Sequence, residues 1–259
     1  MKKVFYKYHG TGNDFIIFDN RLGDIDLNKS TIEHLCDRHF GIGADGLMYF
    51  EKHSEYDFGM RYFNSDGIET TMCGNGGRCL VSFAKSLDLI SEKTQFHAID
   101  GLHYATLNND NTISLKMVDV KDIQIIENNF LLNTGVPHYV VFEKNIADFD
   151  VFNKGREIRN KSIFSPDGSN INFVELLNDE LFVRTYERGV ENETLSCGTG
   201  VTASAISTSL KTGTDKNSWN IKTLGGKLNV RFKKVSNNHF TDIWLTGPAE
   251  FVFKGEIDI

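Results

Sequence analysis

The sequence predicts an α/β (α+β) fold made of two similar halves, and three observations carry that prediction. The first is a repeated segment, Met72-Cys73-Gly74-Asn75-Gly76 and Ser196-Cys197-Gly198-Thr199-Gly200. The second is that each Cys-Gly-x-Gly run opens into a stretch that reads as helical, Arg78 to Leu89 and Val201 to Leu210. The third is spacing, because the two cysteines stand 124 residues apart (197 − 73) in a chain of 259, close to half its length.

The first half opens with Val4-Phe5-Tyr6-Lys7-Tyr8 and Phe15-Ile16-Ile17-Phe18, two aromatic and β-branched runs that read as strands around the polar loop His9 to Asp14. Ser30-Thr31-Ile32-Glu33 has the form of a capping box, and with Leu35 and His39 behind it and Gly41 and Gly43 to stop it, residues 31–39 read as a short helix. Met60 to Phe63 reads as a strand that ends in the turn Asn64-Ser65-Asp66-Gly67, just ahead of the first cysteine. Residues 96–119 alternate about the polar turn Asn108 to Asn111 and predict a hairpin. The second half repeats the rhythm from about Ile123, with strands at Tyr139 to Phe142, Ile171 to Leu176 and Leu181 to Tyr186. After Cys197 and its helix comes another hairpin, Leu228 to Phe232 with Asp242 to Leu245. The boundary is expected in the polar stretch between Asp119 and Asn129, giving halves of 1–119 and 120–247.

Composition narrows the function classes. Hydrophobic residues are 40% and charged residues 24%, which is globular and excludes collagen-like, coiled-coil and disordered chains. A net charge of −7 argues against nucleic acid as a partner and favours a small-molecule substrate. Met1-Lys2-Lys3 is followed by no apolar core of a signal peptide, and no window reaches 18 uncharged apolar residues, so no membrane role and a cytoplasmic location are expected. The four cysteines are then expected as reduced thiols. No Cys-x-x-Cys or His-x-x-x-His pair occurs, so no metal is expected. Cys36 and Cys79, each inside a predicted helix, read as buried structural residues.

Cys73 and Cys197 read differently because they recur in equivalent places. A cysteine ahead of a helix start meets the partial positive charge of unpaired N–H groups, which favours the thiolate. The glycines let the backbone approach a ligand and present N–H donors to a carboxylate. Two such thiols, one on each face of an α-carbon, would remove a proton from one side and return one from the other, inverting the stereocentre. One cysteine must begin as thiolate and the other as thiol, so the titration belongs to the pair. Two candidate bases make a cofactor unnecessary, and none is expected.

Six ordered segments then carry a resemblance: Gly10-Thr11-Gly12-Asn13-Asp14-Phe15, Arg38 to Gly46, Phe63-Asn64-Ser65-Asp66-Gly67, Cys73-Gly74-Asn75-Gly76-Gly77-Arg78-Cys79, Tyr186-Glu187-Arg188-Gly189 and Cys197-Gly198-Thr199-Gly200. Over essentially its whole length the chain resembles the diaminopimelate epimerases, cofactor-independent amino-acid epimerases of bacterial lysine and cell-wall synthesis. The resemblance implies two halves, each a strand barrel around a central helix, with the active site in the cleft between them. It also implies a final strand, about 248–259, that returns to the first half, and a homodimer. Carried over, Cys73 and Cys197 are the acid/base pair converting LL-2,6-diaminopimelate to the meso form. Gly74, Asn75, Gly198 and Thr199 hold the reacting carboxylate, and Asn13, Asn64, Asn170, Glu187 and Arg188 bind the remaining amino and carboxylate groups. His138 and Glu187 assist catalysis. Either Asn170 or Asn172 fits the family asparagine, and Asn170 is taken. The chain departs from the family at Val136, where Asn is common, and at Gly46, where some members have Gln, each removing a polar contact. Glu191-Asn192-Glu193 makes the approach to the second cysteine one residue longer.

The main alternative is a proline or hydroxyproline racemase of the same fold. A ring amino acid has no distal groups for Glu187, Arg188 and three asparagines, and each polar group buried unpaired would cost about 1–3 kcal/mol. A thiol redox or metal-storage protein is opposed by the missing Cys-x-x-Cys, and a non-catalytic amino-acid-binding module by the intact cysteine pair.

Overall fold

The computed structural model describes residues 2–166 and 168–259. The chain forms two compact units, Met1–Leu115 with Gly247–Ile259, and Lys116–Thr246.

In the first unit, strand Lys2–Gly10 pairs antiparallel with Glu250–Asp258 on one side and with Asn13–Asp19 on the other. Asn13–Asp19 runs parallel to Gly46–Glu51, and the connection between them carries helix α1, Lys29–Cys36. Gly46–Glu51 is antiparallel to Phe58–Asn64, which is parallel to Lys93–Ala98. The connection between those two carries Cys73 and helix α2, Gly74–Ser86. Gly101–Leu107 and Ile113–Lys116 complete the sheet.

The sequence explains how this sheet is covered. Phe15, Ile16, Ile17 and Phe18 are all fully buried, and an unbroken apolar run suits a strand covered on both faces. One face packs on α1, where Ile32, Leu35 and Cys36 meet Ile16, Phe18, Leu47 and Tyr49. The other face meets α2, whose Gly76 has the Phe15 ring 3.5 Å from where a Cβ would stand. Helix α2 is buried from Gly74 to Ala84 except at Ser82, and packs against strands from Glu250–Asp258 at one side to Gly101–Leu107 at the other, so it lies inside the curve of its sheet.

The second unit repeats the connectivity. Pro137–Phe142 runs parallel to Asn170–Leu177 through helix α3, Val151–Arg159. Asn170–Leu177 is antiparallel to Glu180–Glu187, which is parallel to Ser218–Thr223 through Cys197 and helix α4, Gly198–Thr212. Gln124–Ile126 and Asn129–Asn133 flank one side, and Gly226–Ser236, His239–Gly247 and Val120–Lys121 the other. Helix α4 is a buried helix rich in Ser and Thr. Thr202, Ser204 and Thr208 donate their hydroxyls to the carbonyls of Gly198, Gly200 and Ser204, four residues back, so those three buried hydroxyls are satisfied within the helix.

Several local expectations change. Helices α2 and α4 begin immediately after their cysteines rather than at Arg78 and Val201, because the glycines continue the helix instead of preceding it. Helix α1 is capped by Asn28, whose side chain accepts from Thr31 N–H at 2.9 Å, not by the Ser30 box, and it ends at Cys36 rather than at residue 39. Asp37 then takes the N–H groups of His39 and Phe40. The hairpin expected over residues 96–119 is a three-stranded meander. Helix α3 is additional to the predicted elements: Gly155 interrupts its pattern, and the glycine is there because a Cβ would come within 2.4 Å of Tyr186 Cβ.

Candidate active site

Each cysteine is the N-cap of its unit's buried helix, with extended backbone at both (Cys73 φ −87°, Cys197 φ −117°) and no side-chain cap bond of its own. Gly77 N–H donates to Cys73 O and Val201 N–H to Cys197 O, which close the first turns. The N–H groups of the residues between stand at the helix start, where an anion or a thiolate is favoured.

In the first unit a donor and acceptor network fixes the group presented to Cys73. Arg78 is fully buried, and its guanidinium donates to Gly74 O (3.1 Å), Asn75 Oδ1 (2.8 Å) and Pro248 O (3.4 Å). Burial pushes its pKa down. Because Arg78 only donates, Asn75 turns its amide nitrogen to Asn13 Oδ1, 3.2 Å away. Asn13 gives its own amide nitrogen to the Asp45 carboxylate at 2.7 Å, so Asn13 Oδ1 faces Cys73 Sγ at 3.6 Å and the thiol donates to it. Behind Asn13 stand Arg38, which bonds both Asp14 (2.7 Å) and Asp45 (2.7 Å), and the buried Lys7, which pairs with Asp14 at 2.7 Å. Burial alone would raise the Asp14 pKa, but its hydrogen bonds to Arg38 and Lys7 outweigh it and hold the carboxyl at about 2. Asn64 is exposed at the end of its strand, opposite Gly46. A Cβ at Gly46 would come within 2.6 Å of both Phe63 O and the Tyr62 ring, so the Tyr62 ring fills the space a side chain at 46 would need.

In the second unit the network runs through a histidine. His138 is fully buried; its Nε2 lies 2.9 Å from Thr199 Oγ1 and its Nδ1 3.0 Å from Asn172 Nδ2. Burial lowers its pKa to about 3, against a weaker opposing hydrogen bond from Asn172, so the ring is neutral. Thr199 Oγ1 is 3.4 Å from Cys197 Sγ, and Thr134 donates its hydroxyl to Thr199 O at 2.9 Å. Cys197 is 6% exposed. Asn170 accepts the Arg188 N–H at 2.7 Å, and Glu187 accepts the Thr194 hydroxyl at 3.0 Å. Asn172 is committed to Thr185, His138 and Tyr139 O.

The structure therefore joins Cys73, Asn13 and Asn75 in one unit, and Cys197, Thr199, His138 and Asn170 in the other, with Arg188 held through Asn170. Asn64 stands at its strand end, and Glu187 accepts the Thr194 hydroxyl. Among the supporting residues that carry no prediction of their own from sequence are Asp45, Arg78 and Thr185. Asp45 and Arg78 lie within the motifs that carry the resemblance, whereas Thr185 has no local signal. Asn172, the alternative to Asn170, is taken up by His138 and Thr185. Cys36 and Cys79 are buried, and burial pushes the Cys36 thiol up to about 12 and raises Cys79 as well. Among the described residues no cluster of His, Cys, Asp and Glu is arranged to hold a metal. A cavity of about 460 Å³ near the end of α4, bordered by Ser209, Lys216 and Arg231, contains none of these residues.

The family model described as diaminopimelate epimerase matches residues 5–122 and 130–252. The chain is 54% identical to the diaminopimelate epimerase of Flavobacterium psychrophilum, over 97% of this chain and 99% of that protein. It is 38% identical to that of Chlorobaculum tepidum, over 96% and 99%. Among solved structures it resembles a Bacillus anthracis phenazine biosynthesis protein of the PhzF family (TM-score 0.74, 16% identity, all of both chains). It also resembles a hydroxyproline epimerase from Agrobacterium vitis (TM-score 0.72, 14% identity, 99% and 92% covered). At those identities the two structures show a shared fold.

Proposed function

The chain belongs to the diaminopimelate epimerase family, and from that premise we propose that Cys73 and Cys197 exchange protons with the α-carbon of 2,6-diaminopimelate and interconvert its LL and meso forms. The observation that carries this reading is the matched placement of the two thiols, each capping the buried helix of a unit with the same strand and helix order. The helix-start N–H groups beside Gly74-Asn75 and Gly198-Thr199 would take the reacting carboxylate, whose charge offsets the carbanion-like state as the proton leaves. Asn13, Asn64, Asn170, Glu187 and Arg188 would bind the other charged groups: Arg188 suits a carboxylate and Glu187 an ammonium. His138 is buried and neutral, so it supports the site as a hydrogen-bonding group rather than as a cation.

Inversion requires the two thiols to reach opposite faces of one α-carbon, with one sulfur ionised and one protonated at the start. No bound cofactor enters this scheme. A homodimer working in the cytoplasm is the assembly and location we attach to it; among the described residues no helix is long and apolar enough to cross a membrane.

The test is the reaction of LL-diaminopimelate in deuterium oxide, with proline and hydroxyproline run beside it. One deuterium should enter one α-carbon as the meso compound accumulates, and Cys73→Ala and Cys197→Ala should each stop it. Full turnover by either variant would sink the two-thiol reading, and turnover of proline instead would move the chain to a different substrate class.

A further inference from the structure

Strand register lets the two units be compared residue by residue around their cysteines. In the first, Phe15 pairs with Gly46, and two residues on Met48 pairs with Tyr62. In the second, His138 pairs with Asn170, and two residues on Asn172 pairs with Thr185. Both sets lie under the glycine that follows each cysteine by three. A Cβ on Gly76 would meet Met48 Sδ at 3.1 Å and the Phe15 ring at 3.5 Å, and one on Gly200 would meet Asn172 Oδ1 at 2.4 Å and Thr185 Oγ1 at 3.3 Å. The places that hold Phe15, Met48 and Tyr62 behind Cys73 thus hold His138, Asn172 and Thr185 behind Cys197. The first set is two apolar side chains and a tyrosine, whereas the second is three buried polar groups, which cost stability unless each is paired.

The second set is paired in one direction. Tyr139 O can only accept, so the Asn172 amide nitrogen faces it at 3.4 Å, and the same nitrogen donates to His138 Nδ1 at 3.0 Å. Asn172 Oδ1 accepts the Thr185 hydroxyl at 3.0 Å, which holds the amide in that orientation. With Nδ1 accepting, a neutral His138 carries its proton on Nε2 and donates to Thr199 Oγ1 at 2.9 Å. Asn170 Nδ2 approaches the same Nε2 at the longer distance of 3.4 Å, its Oδ1 being taken by Arg188 N–H. The charged group acting on the ring is Arg188, and Glu187 accepts the Thr194 hydroxyl. Once Thr199 Oγ1 accepts from His138, its own proton can be directed at Cys197 Sγ, 3.4 Å away.

We propose that Asn172 is a positioning residue: with Thr185 it locks His138 as the Nε2–H tautomer, so that Thr199 donates its hydroxyl proton to Cys197 Sγ and supports that sulfur as thiolate. Cys73 faces an acceptor instead, the side-chain oxygen of Asn13. This rests on the reading of Cys197 as one of the acid/base pair.

Two measurements on the full chain without substrate test it. Long-range ¹H–¹⁵N correlation of the histidine rings should show His138 protonated at Nε2. Alkylation by iodoacetamide, followed by peptide mass mapping, should slow about tenfold at Cys197 in Asn172→Ala and Thr199→Val, the scale of one lost hydrogen bond to a charged group, while Cys73 is unchanged. Thr199→Ser should restore the rate, and Asn172→Ala should add nothing in a Thr199→Val background. An Nδ1–H ring in the wild type, equal slowing of both cysteines, or additive effects in the double variant would each overturn the proposal. Should Asn172→Ala not fold, the wild-type tautomer and the Thr199→Val and Thr199→Ser pair decide alone. Because neither readout needs turnover, a failed deuterium assay and a failed relay are told apart.

Discussion

At the scale of single residues, His138 shows how burial sets both chemistry and stability. The folded ring, held near 3, refuses a proton that the unfolded chain accepts at the ordinary histidine value of 6.5. The unfolded state therefore binds more protons below that value, and stability is complete above about pH 6.5 and falls as pH drops toward 3. Asp14 acts with the same sign but lower down: held at about 2, its contribution is full above its ordinary 3.8 and is lost only below that. Between about pH 4.5 and 6.5 the His138 contribution stands apart, with a slope of at most about 1.4 kcal/mol per pH unit. Urea unfolding across that window should show a marked slope in the wild type and a shallower one in His138→Gln; equal slopes would mean the buried ring is not what titrates. The histidine itself is legible through the family resemblance. Its partners are not, because Asn172 and Thr185 sit on two strands whose register no local pattern specifies.

At the scale of elements, the duplicated Cys-Gly-x-Gly announces both central helices but not where they start. Glycine is a poor helix former in isolation, so a propensity reading delays the helix to Arg78 and Val201; in the fold the helices include the glycines, and at Gly76, Gly77 and Gly200 close neighbours are what call for a residue with no side chain. The two units differ in how hard that constraint is. A Cβ at Gly76 meets the flexible end of Met48, whereas one at Gly200 meets an amide oxygen held by Thr185. Gly200→Ala should therefore cost about 1–3 kcal/mol by overpacking, and Gly76→Ala less than about 1, since helix propensity returns part of the strain. Equal losses on thermal unfolding would show that Met48 has no freedom to move. Helix α1 offers a second check on local assignment: Asn28→Ala should lose about 1 kcal/mol as a true cap, and Ser30→Ala almost nothing. Helix α3 remained illegible because Gly155, which weakens the sequence signal, is required only by Tyr186, a residue 31 positions further on (186 − 155).

At the scale of the whole molecule, the two units are alike in topology but unlike in chain continuity, and that difference predicts how fragments behave. The second unit is a single segment, Lys116–Thr246, with its own core of Tyr139, Val141, Val151, Ile171, Phe173, Phe182 and Tyr186 beneath α3. The first needs Gly247–Ile259, whose strand Glu250–Asp258 forms the full outer ladder of Lys2–Gly10. The same segment supplies Pro248 O to the buried Arg78 and Ala249 O to Ser82. Removing it exposes a long edge strand and leaves Arg78, a buried cation, short of one of its three acceptors, a loss of about 1.5–3 kcal/mol before the strand itself is counted. A chain ending at Thr246 should thus lose cooperative unfolding in its first unit, and residues 1–115 expressed alone should not fold. Residues 116–246 should give a dispersed ¹H–¹⁵N spectrum on their own, because that one segment supplies the unit's core and both helices packed on its sheet. Joining 247–259 ahead of residue 2 through a short Gly/Ser linker should restore the first unit, since Asp258 pairs with Lys2 and the two ends already lie side by side. A folded 1–115 fragment would show that the returning strand is an addition to that unit rather than part of what makes it stable.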